Sequence, residues 1–353
     1  MNPLAIGPYQ IGPQFPPFFV AELSGNHRQS LDAALKLVDA AKEAGAHAVK
    51  LQTYTQDTLT IDVKDGDFLI TDPKSPWANR TLYDLYQEAH TPWEWHKAIF
   101  ERCAELELLA FSTPFDETAV DFLEQFDLPC YKIGSFEMTH HALIRKAAST
   151  GRPLIISTGG AFFHEIADTV AVAREAGCRE LILLKCTSAY PATWDAANLR
   201  TIQHMGHSFG TLTGLSDHTL GTTVAVTGIA LGACVIEKHL TLSRAEGGVD
   251  AAFSMEPKEF KQLTTEGMHA WQALGFVRYS PTEQEKRALQ YFRRSLYFVN
   301  DLPKDALIKP EDVRVIRPSK GLPPKEYAHI IGLKVSKDVK RGEAVKWESV
   351  HHG

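Results

Sequence analysis

Eight short apolar runs separated by longer amphipathic stretches fill residues 18–237, and this alternation constrains the fold more than any other feature. The runs cover residues 18–23, 46–51, 108–111, 130–133, 153–156, 180–185, 210–215 and 233–237. Between them, stretches such as 30–44, 163–176 and 222–231 read as helices, the pattern of βα units around a parallel sheet. Gly45, Gly151 and Gly177 stand just past helices or just before strands, where a left-handed cap is wanted. With a closing helix near 258–274, the pattern predicts an α/β fold, a closed (β/α)8 TIM barrel. An open doubly wound sheet would normally carry a Gly-rich phosphate turn after its first strand, and none follows here.

Every run ends in chemistry. In chain order the ends deliver Glu22, then Lys50 and Gln52, then Ser112 and Thr113, then Lys132, Ser135 and Glu137. The other four deliver Ser157, then Thr187, Ser188 and Tyr190, then Ser216, Asp217 and His218, and finally Glu237 and His239. Polar residues at the end of one strand often mark only the start of a loop. Ionisable or hydroxyl groups at the end of all of them point to a site at the barrel mouth. Lys50 and Lys132 within a ring of hydroxyls suit a phosphate and a carboxylate. His218 and His239 follow adjacent strands and can share one metal ion that keeps positions open for water and substrate. A lone histidine is more often a packing or capping residue, and two imidazoles do not identify the metal. His90, His96, His140 and His141 read as surface residues on helices and loops.

A length of 353 residues leaves room for a domain of about 250 residues and a smaller one. The net charge of −6 gives no reason to expect nucleic acid as a partner. No apolar run approaches the roughly 20 residues that cross a bilayer. Met1 leads into a segment punctuated by Pro and Gly, without the basic start and apolar core of a secretory leader. The five cysteines are odd in number and mostly lie in apolar runs, so they read as reduced, buried thiols. A cytoplasmic protein without membrane attachment is expected. Near Tyr279 the texture changes, and Pro281-Thr-Glu-Gln-Glu-Lys286 reads as a polar linker. Beyond it, residues 338–350 echo residues 301–313: a turn after Asp, a short apolar pair, then an acidic residue before Val. A two-copy echo is too short for a solenoid and predicts a compact pseudo-symmetric β module. The expected division is a barrel over 1–278, a linker over 279–290 and a small domain over 291–353.

The strings that hold these residues resemble the sialic acid synthase family. They are Glu22-Leu-Ser-Gly-Asn-His27, Lys50-Leu-Gln-Thr53, Phe111-Ser-Thr-Pro-Phe115 and Tyr131-Lys-Ile-Gly-Ser135 in the first half. Ser157-Thr-Gly159, Lys185-Cys-Thr-Ser188, Gly214-Leu-Ser-Asp-His218 and Ile236-Glu-Lys-His239 follow in the second. The resemblance runs in order over nearly the whole chain and makes the small domain similar to the β-rich antifreeze-like (SAF) fold. Thr53-Tyr-Thr55, Leu82-Tyr-Asp-Leu-Tyr86, Thr91-Pro-Trp-Glu-Trp-His96 and Ser135-Phe-Glu137 resemble the pseudaminic acid branch of that family. The sialic acid enzymes tend to carry Gly in place of Phe136 and Asn in place of Ser188.

The resemblance implies condensation of phosphoenolpyruvate with the open-chain aldehyde of 2,4-diacetamido-2,4,6-trideoxy-altrose, with entry of water and loss of phosphate. On that reading Lys50, Gln52, Thr113, Lys132, Ser135, Ser157, Ser188 and Ser216 hold phosphoenolpyruvate. A divalent ion, Mn2+ or Mg2+, sits on His218 and His239 and polarises the aldehyde. Glu22 or metal-bound water manages the proton of the attacking water. Tyr54, Phe136, Glu137, Tyr190 and Asp250 face the sugar, Tyr54 and Phe136 as an apolar wall. Arg317 is supplied from the small domain of the partner in a domain-swapped homodimer. The same chemistry on N-acetylmannosamine or a legionaminic precursor is the near alternative. A glycoside hydrolase using Glu22 and Glu137 is the distant one, and it leaves the lysines and histidines without work.

Overall fold

A computed structural model describes residues 2–352, which fall into two units, Met1–Gly275 and Phe276–Gly353. The first is a closed barrel of eight parallel strands. In chain order they are β1 (Phe18–Glu22), β2 (Ala48–Thr53), β3 (Leu109–Pro114), β4 (Tyr131–Ile133), β5 (Leu154–Ser157), β6 (Leu181–Cys186), β7 (Leu212–Ser216) and β8 (Val235–His239). Most begin a residue or two after the apolar run and continue into the polar residues. The strands therefore carry Lys50, Gln52, Thr113, Lys132, Ser157, Ser216, Glu237 and His239 themselves, while Ser135, Glu137, Ser188, Tyr190 and His218 stand in the loops just beyond. Closure pairs His239 of β8 with Glu22 of β1, which in turn pairs with Lys50 of β2. Side chains alternate along each strand, so Glu237 and His239 face one way and Lys238 the other.

The outer layer follows from local sequence. Ser30 caps the helix Leu31–Glu43 by accepting from the Ala33 amide, and Ala34, Leu37, Val38 and Ala41 turn one face to the strands. Gly45, at φ +83°, ends that helix in the left-handed region, as its position predicts. An N-terminal hairpin, Leu4–Ile6 with Tyr9–Ile11, was not legible in the sequence. Its Leu4, Ile6 and Ile11 pack on Phe18, Val20, Phe111, Ile182 and Leu184, closing the barrel at the end opposite the mouth.

His96 corrects the surface reading: it is fully buried, with Nε2 2.8 Å from Thr53 Oγ1. Burial lowers its pKa to about 4. Thr53 Oγ1 also lies 2.6 Å from Ser112 Oγ, so Ser112 is turned toward His96 and not into the mouth. All five cysteines are buried and free.

In the second unit, the stretch expected as a linker forms the helix Glu283–Phe292, because Thr282 and Glu285 make a reciprocal capping box. The β module has the expected internal symmetry. β9 (Ser295–Phe298) pairs antiparallel with β10 (Val313–Ile316), and β11 (Lys334–Val335) with β12 (Val350–His351). Equivalent 3-10 turns, Pro310–Asp312 and Trp347–Ser349, lead into β10 and β12. The two echoes meet at a bridge between Leu302 and Val339. Among the described residues, no helix is long and apolar enough to cross a membrane.

Candidate active site

A cavity of about 530 Å³ opens at the C-terminal ends of the strands. Every residue assigned above to phosphoenolpyruvate lines it, as do Tyr54, Phe136, Glu137, Tyr190, Asp250, His218 and His239. Glu22 does not line it, and Arg317 belongs to the second unit, where its guanidinium lies 5.7 Å from the centre of the Phe292 ring.

The cavity floor is a buried charge array. Lys50 Nζ lies 2.5 Å from Glu22 Oε2 and 3.8 Å from Glu237 Oε1, and donates to Thr113 Oγ1 at 3.0 Å. Lys132 Nζ is 3.6 Å from the same Glu237 oxygen, which also accepts from Ser216 Oγ at 3.1 Å. Burial disfavours the charge on Lys50, but Glu22 and Glu237 outweigh it and raise the pKa, so Lys50 stays protonated. At Lys132 burial prevails over Glu237, with Lys50 adding to it, and the pKa falls below that of a free lysine. Burial works to raise Glu237, but Lys132, Lys50 and His218 keep it ionised. Glu22, most affected by burial and only partly offset by Lys50, is raised.

Hydroxyls complete the polar end. Ser135 Oγ accepts from the Gly159 amide at 3.0 Å, and Ser157 Oγ is buried with no partner. An unsatisfied buried hydroxyl facing a cavity is a donor waiting for a ligand. A β-carbon at Gly159 would strike Ser188 Oγ and stand 2.9 Å from Ser135 Oγ and 3.0 Å from Cys186 Sγ, so any side chain there would displace these groups.

The His218 and His239 rings lie with centroids 5.3 Å apart. His218 Nδ1 is 3.1 Å from the Thr187 carbonyl and 3.8 Å from Cys186 Sγ. Burial pulls the His218 pKa down, but Cys186 and the Thr187 carbonyl reverse this and raise it. The Cys186 thiol, which burial would push up, is brought to about 7 chiefly by His218. His239 is held well below the usual imidazole range by burial and then by His218 and Lys50. Its buried Nδ1 has no hydrogen-bond partner, and Asp250 Oδ2 stands 3.9 Å away. A neutral, unpartnered imidazole beside a second imidazole and a carboxylate fits a divalent cation. Among the described residues, no group of three or more His, Cys, Asp or Glu is arranged around one point. Two imidazoles by themselves would leave positions for water and substrate around such an ion.

Behind these histidines a second buried pair stitches their strands together. Lys238 Nζ donates to Asp217 Oδ2 at 2.8 Å and to the carbonyls of Thr219 at 2.6 Å and Gly221 at 3.2 Å. Asp217 Oδ1 accepts from the Thr219 amide and hydroxyl at 2.9 and 2.8 Å. Asp217, expected at the mouth, thus faces away from it.

Sequence reasoning missed several lining residues. In the sequence Glu237 is only one more polar strand end, and Cys186 only one more cysteine in an apolar run. Trp77 and Phe253 were not singled out, yet Phe253 packs 5.0 Å from Tyr190 and 5.1 Å from His239, ring centre to ring centre. Both come from long connections, where no local pattern marks them.

The NeuB family model matches residues 37–279, and the SAF domain model residues 293–350. The pseudaminic acid synthase of Campylobacter jejuni subsp. jejuni serotype O:23/36 is 42% identical over 331 residues, 93% of this chain and 95% of that one. The pseudaminic acid synthase of Helicobacter pylori is 41% identical over 327 residues, 92% and 95% of the two chains. Among solved structures, the N-acetylneuraminic acid (sialic acid) synthetase from Leptospira borgpetersenii serovar Hardjo-bovis, in complex with citrate, is similar at a TM-score of 0.73. It is 30% identical, over 82% of this chain and 95% of that one.

Proposed function

Because this chain belongs to the NeuB family of sialic acid synthases, we propose that it makes pseudaminic acid. The substrates are phosphoenolpyruvate, 2,4-diacetamido-2,4,6-trideoxy-altrose and water, and phosphate is the other product. The observation that carries this reading is the cavity, which the two lysines, the hydroxyls, the two histidines and Asp250 line together.

Lys50, Lys132 and the hydroxyls of Thr113, Ser135, Ser157, Ser188 and Ser216 bind the phosphate and carboxylate, with the Gln52 amide beside them. Glu22 and Glu237 hold the two ammonium groups in place. The enol methylene carbon forms a bond to the aldehyde carbon, whose oxygen takes up a proton. The adjacent enol carbon becomes electron-poor and is captured by water. That water gives up one proton as it attacks and its second as the carbon–oxygen bond to phosphate breaks. One proton balances the one taken up by the aldehyde oxygen, the other leaves with phosphate, and the keto acid remains. Glu137 lines the cavity with its pKa raised by burial, and we assign it the proton of the attacking water. Glu22, expected to share that task, is enclosed against Lys50 outside the cavity lining. His218 and His239 would hold a manganese or magnesium ion, which when bound supplies Lewis acidity at the aldehyde oxygen.

Phosphate release with three sugars tests the reading. The trideoxy-altrose derivative should give the highest kcat/KM, ahead of the legionaminic precursor and N-acetylmannosamine. A preference for N-acetylmannosamine would move the chain to the sialic acid branch, and no release with any of them would remove the synthase reading.

We also propose, as the family resemblance implies, a cytoplasmic two-fold dimer in which Arg317 of one chain serves the barrel of the other. Arg317→Ala and His218→Ala chains, each inactive alone, should then complement on mixing. Roughly a quarter of full activity is expected, since half of randomly mixed dimers are hybrids and one of their two sites is intact. Subunit exchange without recovery would confine Arg317 to its own chain.

A further inference from the structure

The cavity lining holds both polar and apolar residues, and the reaction steps above use only the polar ones. The apolar part of the lining comes largely from the insertion over residues 54–95, between β2 and the helix His96–Glu105, and includes Leu59, Ile70, Trp77, Leu82 and Leu85. Leu85 is buried, whereas Leu59, Ile70 and Leu82 are half-buried beside the cavity.

Local structure fixes this wall in place. Thr81 caps the helix Leu82–Ala89 by accepting from the Asp84 amide, and Leu82 and Leu85, three residues apart, share one helix face. The Ile70 amide donates to the Arg80 carbonyl at 2.9 Å, and its carbonyl accepts from the Asn79 amide at 2.8 Å. The Trp77 indole donates to the Val249 carbonyl at 2.9 Å, tying the insertion to the loop after β8 that carries Asp250. Apolar side chains lining the same cavity as a polar substrate site favour methyl groups and leave a sugar hydroxyl without a partner.

We infer that this insertion reads the sugar, with Leu59, Ile70 and Leu82 receiving the 6-methyl group of a deoxy, N-acylated hexose. The inference rests on the proposed function and names the part of the site that selects its substrate. Of the two aromatic residues expected to form this wall, Phe136 lines the cavity but is 69% exposed, whereas Tyr54, which also lines it, is buried and opens the insertion. The insertion offers the more enclosed surface.

The test compares kcat/KM of the full, manganese-loaded chain for the trideoxy sugar and for its counterpart with a 6-hydroxyl. The parent should prefer the 6-methyl sugar by on the order of tenfold to a hundredfold. Ile70→Asn and Leu82→Asn should bring the two sugars toward parity while the KM for phosphoenolpyruvate stays unchanged. Ile70→Ala and Leu82→Ala, milder changes, should shift the ratio in the same direction and guard against a variant that fails to fold. Parity in the parent, or an unchanged ratio in the folded variants, overturns the inference and leaves the proposed reaction standing. A rise in the KM for phosphoenolpyruvate equal to the loss on the sugar also overturns it, because damage would then be general. A parent that releases phosphate with neither sugar removes the proposed function itself and this assignment with it.

Discussion

Replacing His239 by alanine should lower turnover by about two to three orders of magnitude, the size of a lost contribution of several kcal/mol. His218→Ala should do the same, since the two rings stand side by side at the ends of adjacent strands. The parent enzyme stripped with a chelator should lose activity and regain it on addition of manganese. Direct titration of manganese into each variant should show weaker binding. That readout separates loss of the ion from loss of some other catalytic contact. The expectation rests on the Nδ1 of His239, a buried ring nitrogen without a hydrogen-bond partner. Full turnover by the stripped parent would remove the ion from the reaction, and unchanged manganese affinity in His239→Ala would remove His239 from its site.

The barrel and most of its mouth are legible in the sequence because strand ends alternate. Residues two apart, such as Lys50 and Gln52 or Glu237 and His239, face the same cavity. The same alternation explains the misplaced residues. Asp217 and Ser112 stand next to mouth residues and therefore point away from the mouth. His96 carried a usable signal: with Ile99 and Cys103 it falls on one helical face, and all three are buried. Thr282 and Glu285 likewise spell the capping box of the helix that replaces the expected linker. Other features had no local signal. Trp77 meets the Val249 carbonyl across a large sequence separation, and the N-terminal hairpin consists of strands of three residues each. The bridging role of Glu237 between two lysines is a consequence of barrel closure and appears only when all the strands are in register.

Lys238→Met should destabilise the barrel more than any surface change. The ammonium is enclosed, ion-paired with Asp217 at 2.8 Å and bonded to two backbone carbonyls of the loop that follows His218. Methionine fills similar volume but leaves the Asp217 carboxylate buried and without its counter-charge. Breaking one side of a buried pair costs about 3–5 kcal/mol, a fall in melting temperature on the order of 10 °C for a domain of this size. Asp217→Asn in the Lys238→Met background removes the stranded charge, so the double variant should recover part of the loss rather than add to it. The pair also joins the residue before His239 to the residue before His218. Loosening it should therefore weaken manganese binding by about tenfold to a hundredfold, as supporting residues behind metal ligands do. Lys238→Arg keeps the charge but changes its shape, and should restore stability more fully than metal affinity. A Lys238→Met chain that melts with the parent and binds manganese equally well would mean that the strand ends are held by the barrel hydrogen bonds alone.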